Sequence, residues 1–114
     1  MRAVVLSEYG SLDNLSLTDF PDPEPGPDDV IVDVRATAVN FVDLVLIRGT
    51  YQFRPDIPFV PGKGPAGIVR SVGSAITDFE PGDRVVAMAE QGGYAELTPI
   101  HRNNCYKVPD SLSF

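Results

Sequence analysis

The sequence predicts a mainly β domain, a barrel or sandwich with one short helix set into it. Three observations predict it. Gly and Pro total 21 of 114 residues, against a usual share of roughly 12%, which favours a turn-rich chain over a helical bundle. Several segments alternate apolar and polar residues with a period of two. Only one segment, residues 40–49, switches to a helical pattern between recognisable end signals. The length falls in the common single-domain range and allows roughly two-thirds of the unfolded surface to be buried. It is too short for two full domains. Hydrophobic residues at 43% and charged residues at 22% argue against wholesale disorder.

Ala3-Val4-Val5-Leu6 reads as a first strand, Tyr9-Gly10-Ser11 as a turn, and residues 14–20 as a half-buried strand of alternating character. Pro21, Pro23, Pro25 and Pro27 then remove ladder donors and fix φ, so residues 21–29 form an extended surface loop. Residues 30–39 give the clearest strand. Val30, Val32, Val34, Ala36 and Ala38 share one face, with Asp33, Arg35 and Thr37 on the other.

Asn40 can cap the helix that follows. Asp43, three residues on, is a weak variant of the capping box, Arg48 suits the negative C-terminal end, and Gly49 suits a left-handed cap. Residues 51–65 are irregular and carry Pro55, Pro58, Pro61 and Pro65. Further strands are expected at 66–73, 84–89, 94–98 and 105–108. A loop at 75–79 and turns at Pro81-Gly82-Asp83 and Gly92-Gly93 divide them, and the 94–98 strand is expected to pair with 84–89.

Sixteen acidic and nine basic residues give a net charge of −7, which disfavours nucleic-acid binding. The charge is uneven. Residues 1–35 hold eight acids and two bases, whereas residues 36–72 hold two acids (Asp43, Asp56) and four bases (Arg48, Arg54, Lys63, Arg70). The middle can face an anionic ligand or simply carry solvated charge. The N-terminal residues contain no apolar run long enough for a signal peptide or membrane span. One cysteine, Cys105, excludes an intrachain disulfide, and a soluble cytoplasmic protein is expected.

Gly62-Lys63-Gly64-Pro65-Ala66-Gly67 matches the dinucleotide fingerprint GxGxxG. The true motif follows a strand and opens a helix. Here prolines precede it and a strand follows it, so these glycines are read as allowing close backbone approach at a strand start. His101, the only histidine, lies in a polar stretch and Cys105 at a strand start. A surface histidine and a small buried thiol are expected, and together they cannot build a zinc site.

The order of motifs resembles the N-terminal domain of the medium-chain dehydrogenase/reductase superfamily, most of all its zinc-independent quinone reductase (zeta-crystallin-like) branch. The resemblance is carried by Met1–Val5, the proline loop before Val30-Ile31-Val32, Ala38-Val39-Asn40-Phe41-Val42-Asp43 and Arg48-Gly49-Thr50-Tyr51. It continues through Pro58–Gly62, Ala66–Val69, Val72-Gly73, Pro81–Val85 and Gly92-Gly93-Tyr94-Ala95-Glu96. It implies a GroES-like, partly open β-barrel with one or two short helices over residues 1–114, and a Rossmann domain downstream that holds the dinucleotide fingerprint. The chain would then be a domain of a longer protein, inactive alone. Zinc-dependent members place a cysteine at Asn40, a His-Glu pair at Lys63-Gly64 and a four-cysteine lobe where this chain has only Glu90–Gly93, so no metal is expected.

The resemblance further implies hydride transfer from NADPH to a small molecule, a quinone or other conjugated carbonyl, in a homodimer with no nucleic-acid or membrane partner. The cofactor brings the hard chemistry and the protein orients it. Asn40 and Tyr51 are the implied catalytic pair, with Asn40, Phe41 and Lys63 on the cofactor side. An amide can donate and accept, and a phenol can stack on a ring and bond a carbonyl oxygen. The plainer readings stay open: a helix cap for Asn40, a packing aromatic for Tyr51 and a solvent-facing lysine for Lys63. Val45 stands where several relatives carry a second tyrosine, which leaves a more apolar pocket. An enoyl-thioester reductase of the same superfamily and a stand-alone GroES-like binding or assembly module are the alternatives.

Overall fold

The computed structural model describes all residues, Met1–Phe114. The strands are β1 (Arg2–Leu6), β2 (Leu15–Asp19), β3 (Asp29–Ala36), β4 (Ala66–Val72), β5 (Arg84–Ala87), β6 (Leu97–His101) and β7 (Cys105–Lys107). One α-helix, α1 (Phe41–Arg48), and two short 3₁₀ turns at Leu12–Asn14 and Arg102–Asn104 complete the fold. β1 and β2 form an antiparallel pair, and the remaining strands form one sheet in the order β6-β3-β4-β5-β7. Neither sheet closes on itself, so the domain is a partly open, mainly β structure of the expected kind.

β3 is an interior strand, flanked by β4 and β6. Val30 and Val32 are fully buried and join Val69, Ile76, Val85, Ala87, Ile100 and Cys105 in the main core. Ile31 is buried as well, so this end of the strand is covered on both faces and not alternately wetted. β3 stops at Ala36, short of the expected Val39. Its partner explains this: Ala36 pairs with Ala66, the first residue of β4, and beyond it lies Pro65, which has no N–H to extend the ladder. Val39 is consequently 85% exposed.

Gly67 shows why a glycine stands in that ladder. A Cβ there would lie 2.0 Å from the Asp33 carbonyl oxygen, so β3 and β4 approach too closely for any side chain. The GxGxxG match thus serves backbone approach. Residues 66–72 after it form β4, not a helix.

The strand expected over 94–98 does not pair with β5. β6 begins at Leu97 and pairs with β3, while β5 takes β7 as its outer neighbour. The loop between β5 and β6 is drawn away instead. The Gly92 N–H donates to the Val60 carbonyl at 2.7 Å, Gly93 N–H to Gly62 at 3.0 Å and Tyr94 N–H to Pro61 at 3.0 Å. Tyr94 in turn accepts from the Val4 N–H at 2.8 Å, and Ala95 bridges to Ala3. These bonds fasten the loop 88–96 across the mouth of the open barrel, next to residues 60–64.

α1 packs by a narrow stripe. Asp43, Leu46 and Ile47 are its buried residues, the i, i+3, i+4 spacing of one helical face. Leu46 and Ile47 meet Leu6 and Phe59 in a second core cluster, with Tyr51 and Phe53 packed at its edge. Gly49 ends the helix at φ 78°, ψ 16°, the left-handed conformation glycine adopts without strain. His101 is exposed at the end of β6, where its Nδ1 accepts from the Asn103 N–H at 3.2 Å. Cys105 is a buried free thiol.

Candidate functional site

The rim of the open barrel is built from α1, the segment 49–63 and the loop 88–96. Asn40 caps α1 with extended backbone, φ −117°, ψ 157°. Its N–H donates to Asp43 Oδ2 at 2.8 Å, the carboxylate half of a capping box. The Asn40 side chain faces the Asp43 N–H as the other half of the box, and the residue is exposed.

Asp43 is only 2% exposed. Besides the Asn40 N–H, its Oδ2 accepts the Tyr94 O–H at 2.8 Å, across 51 residues of sequence. Its Oδ1 has no partner. Burial raises the Tyr94 hydroxyl above its ordinary pKa, and the hydrogen bond to the Asp43 carboxylate adds to the rise. The phenol therefore stays protonated and donates through the neutral range. The pair locks the start of α1 to the crossing loop, so the position of Asn40 rests on a buried carboxylate.

Phe41, the first residue of α1, is 74% exposed, and Met88, in the loop after β5, is 71% exposed. The start of α1 thus displays an apolar ring next to the carboxamide of Asn40.

Tyr51 lies past the other end of α1, half-buried against the cluster that anchors the helix. No hydrogen bond joins it to Asn40; the eight-residue helix, about 12 Å long, runs between them. Its direct partner is Lys63. The Lys63 ammonium sits over the Tyr51 ring, 4.9 Å from its centroid, and 5.9 Å from that of Phe53. It is also ion-paired with Glu90. The Lys63 side chain is 15% exposed, so the solvent-facing reading is corrected: two rings and the loop 88–96 cover it. Of the residues singled out by sequence, the structure brings Tyr51 and Lys63 together and leaves Asn40 and Phe41 at the far end of the helix.

The segment carrying Tyr51 is clamped at its base. Arg54 stacks over the Tyr9 ring at 4.4 Å and donates to the Gly49 carbonyl at 2.8 Å, and the Tyr9 hydroxyl donates to the Pro55 carbonyl. Tyr94, Glu90 and Phe53 are site residues that the sequence reading did not single out. Asp43 was legible only as a helix cap. No three His, Cys, Asp or Glu side chains converge on a point that could hold a metal ion.

The model of the alcohol dehydrogenase GroES-like domain matches residues 26–110. Among curated relatives, the mouse synaptic vesicle membrane protein VAT-1 homolog-like is 38% identical over 114 residues, covering 100% of this chain and 27% of that protein. Rat quinone oxidoreductase is also 38% identical, over 116 residues, covering 100% of this chain and 35% of that protein. Among solved structures, the human VAT-1 homolog-like protein superposes with a TM-score of 0.94 at 38% identity, over 100% of this chain and 36% of that one. The quinone oxidoreductase of Escherichia coli complexed with NADPH gives 0.93 at 28% identity, over 100% and 35%. The chain thus spans about a third of the relatives it matches. With the sheet order and capped helix described above, the chain belongs to the alcohol dehydrogenase GroES-like domain family, the N-terminal domain of the medium-chain dehydrogenases and reductases.

Proposed function

We propose that this domain forms the substrate side of an NADPH-dependent oxidoreductase that reduces quinones without a metal ion. The observation that carries the proposal is the exposed Asn40 at the start of α1, held in place from beneath by Asp43 and Tyr94. The similarity to quinone oxidoreductases, one of them complexed with NADPH, supports the choice of reaction and cofactor.

The residues at the rim fit a nicotinamide. An exposed carboxamide keeps two N–H donors and a second oxygen lone pair for a ribose or amide, and the exposed Phe41 ring offers an apolar surface beside it. NADPH, when bound, supplies the hydride. The chain contributes orientation: Asn40 fixes the polar edge, Phe41 shields it from water, and Tyr51 presents a ring and hydroxyl to a flat substrate. The whole protein is proposed to work as a cytoplasmic homodimer. This domain alone is proposed to be inactive, because its one GxGxxG match leads into a strand and leaves no helix N-terminus for a pyrophosphate.

NADPH oxidation by the full-length protein with 1,4-naphthoquinone tests the reading. Tyr51→Phe and Asn40→Ala should each lower kcat about tenfold, a loss of ~1.4 kcal/mol in the barrier, with circular dichroism unchanged. Wild-type turnover in both variants, or one equivalent of zinc per chain, contradicts the assignment.

A further inference from the structure

We propose that the rim takes conjugated carbonyl substrates that carry a carboxylate, with Lys63 binding that group and Glu90 acting as the internal carboxylate it displaces. The inference rests on the reductase reading above.

Lys63 and Glu90 are unequal partners. The lysine side chain is mostly covered and its ammonium sits over the rings of Tyr51 and Phe53, a placement that stabilises a cation. Glu90 is 58% exposed, and its carboxylate makes no contact with any other cation or donor of the chain. Glu90 can therefore swing into water while Lys63 stays on its rings.

An ammonium has three N–H donors, and the structure offers this one a single protein acceptor. Replacing the Glu90 carboxylate with a ligand carboxylate keeps the local charge count and leaves no covered cation unpaired, the costly alternative. The two rings beside the cation suit the flat unsaturated body of such a ligand.

The rest of the chain repels anions. Its net charge is −7, yet residues 36–72 carry four bases and two acids. One of those acids, Asp43, is already engaged by the Asn40 N–H and the Tyr94 hydroxyl. Lys63 thus lies in the one net-basic stretch of an acidic chain.

The test uses full-length protein and two readouts. Ligand-observed NMR compares benzoate with the isosteric neutral benzamide. NADPH-oxidation kinetics compare 4-phenylbut-3-en-2-one with its ring-carboxylated analogue. Benzoate should bind at least tenfold more tightly than benzamide. Lys63→Met should abolish the difference, Lys63→Arg should retain it, and Glu90→Gln should tighten benzoate several-fold by removing its competitor. In turnover, Lys63→Met should raise the KM ratio of carboxylated to parent enone at least tenfold.

Equal binding of benzoate and benzamide overturns the proposal, as does benzoate affinity unmoved by Glu90→Gln, an outcome readable even if Lys63→Met does not fold. A KM for NADPH that rises in Lys63→Met as much as that for the carboxylated enone gives the cation to a cofactor phosphate and overturns it too. Lys63-dependent benzoate binding without NADPH oxidation of either enone supports the carboxylate site while refuting the reductase reading.

Discussion

The sheet interior and the rim of this domain are built on opposite terms. Around β3 the core is apolar, closely paired and continuous, from Val30 and Val32 to Val85 and Ile100. The rim holds a buried carboxylate with one unpartnered oxygen, a mostly covered lysine and apolar side chains left in the open. All three unpartnered buried polar atoms belong to it or touch it. They are Asp43 Oδ1, Thr37 Oγ1 and Thr98 Oγ1, and the two hydroxyls lie against Gly93 and Gly92, where a Cβ would come within 2.7 Å and 2.5 Å of them. Unpaired buried polar groups cost stability. The apolar burial around β3 offsets that cost.

Substitutions on each side probe this division. The largest effect is expected at Gly67, where any side chain collides with the Asp33 backbone. Gly67→Ala should cost on the order of 4 kcal/mol or more, among the severe class of single changes, and urea unfolding reads it directly. Ile100→Ala opens a void in the apolar core and should cost about 3 kcal/mol, while NADPH oxidation by the folded fraction keeps its kcat.

Asp43→Ala should do the reverse. It strands the Tyr94 hydroxyl and the Asn40 N–H at about 2 kcal/mol, yet it should lower kcat by more than Ile100→Ala does, because the start of α1 loses its anchor. Equal loss of turnover from both variants would erase the distinction between the two regions.

The smallest effect is the response to alkali. Burial, aided by Asp78 and Asp83, pushes the Cys105 thiol from 9.0 up to about 11, and burial raises Tyr94 from 10.0. Both groups are held protonated by the fold. The stability they contribute is complete below pH 9 and is lost as pH climbs through the folded values, since the unfolded chain releases these protons first. Urea midpoints should begin to ease above pH 8.0, where the Asp22 hydrogen bond holds the Met1 ammonium protonated, and fall further above about pH 9. Cys105→Ala should flatten the early part of the decline and Tyr94→Phe the later part, each measured against its own midpoint at pH 8. A decline unaltered by either change would assign it to other groups.

Local signals made most of the fold legible. The alternation over residues 30–36 announced β3, and Asn40, Asp43 and Gly49 marked both ends of α1 to within a residue. What escaped was non-local. Nothing near residue 94 in the sequence says that its backbone binds Val4 and Pro61 and that its hydroxyl binds Asp43. The following strand was therefore given the wrong neighbour. The candidate site was legible only in part. Asn40 and Tyr51 could be picked out by motif, but the burial of Lys63 follows from Tyr51, Phe53 and Glu90 converging from separate segments, and no spacing records that.

The single thiol has a practical consequence for every experiment above. Cys105 is 5% exposed, and as a thiol held near pKa 11 it is almost entirely un-ionised at pH 7 and slow towards alkylating dyes. Within this domain a cysteine introduced at an exposed rim position such as Met88 would be the only fast-reacting sulfur. One fluorophore or spin label placed there would report ligand entry at the rim with the native cysteine left in the core.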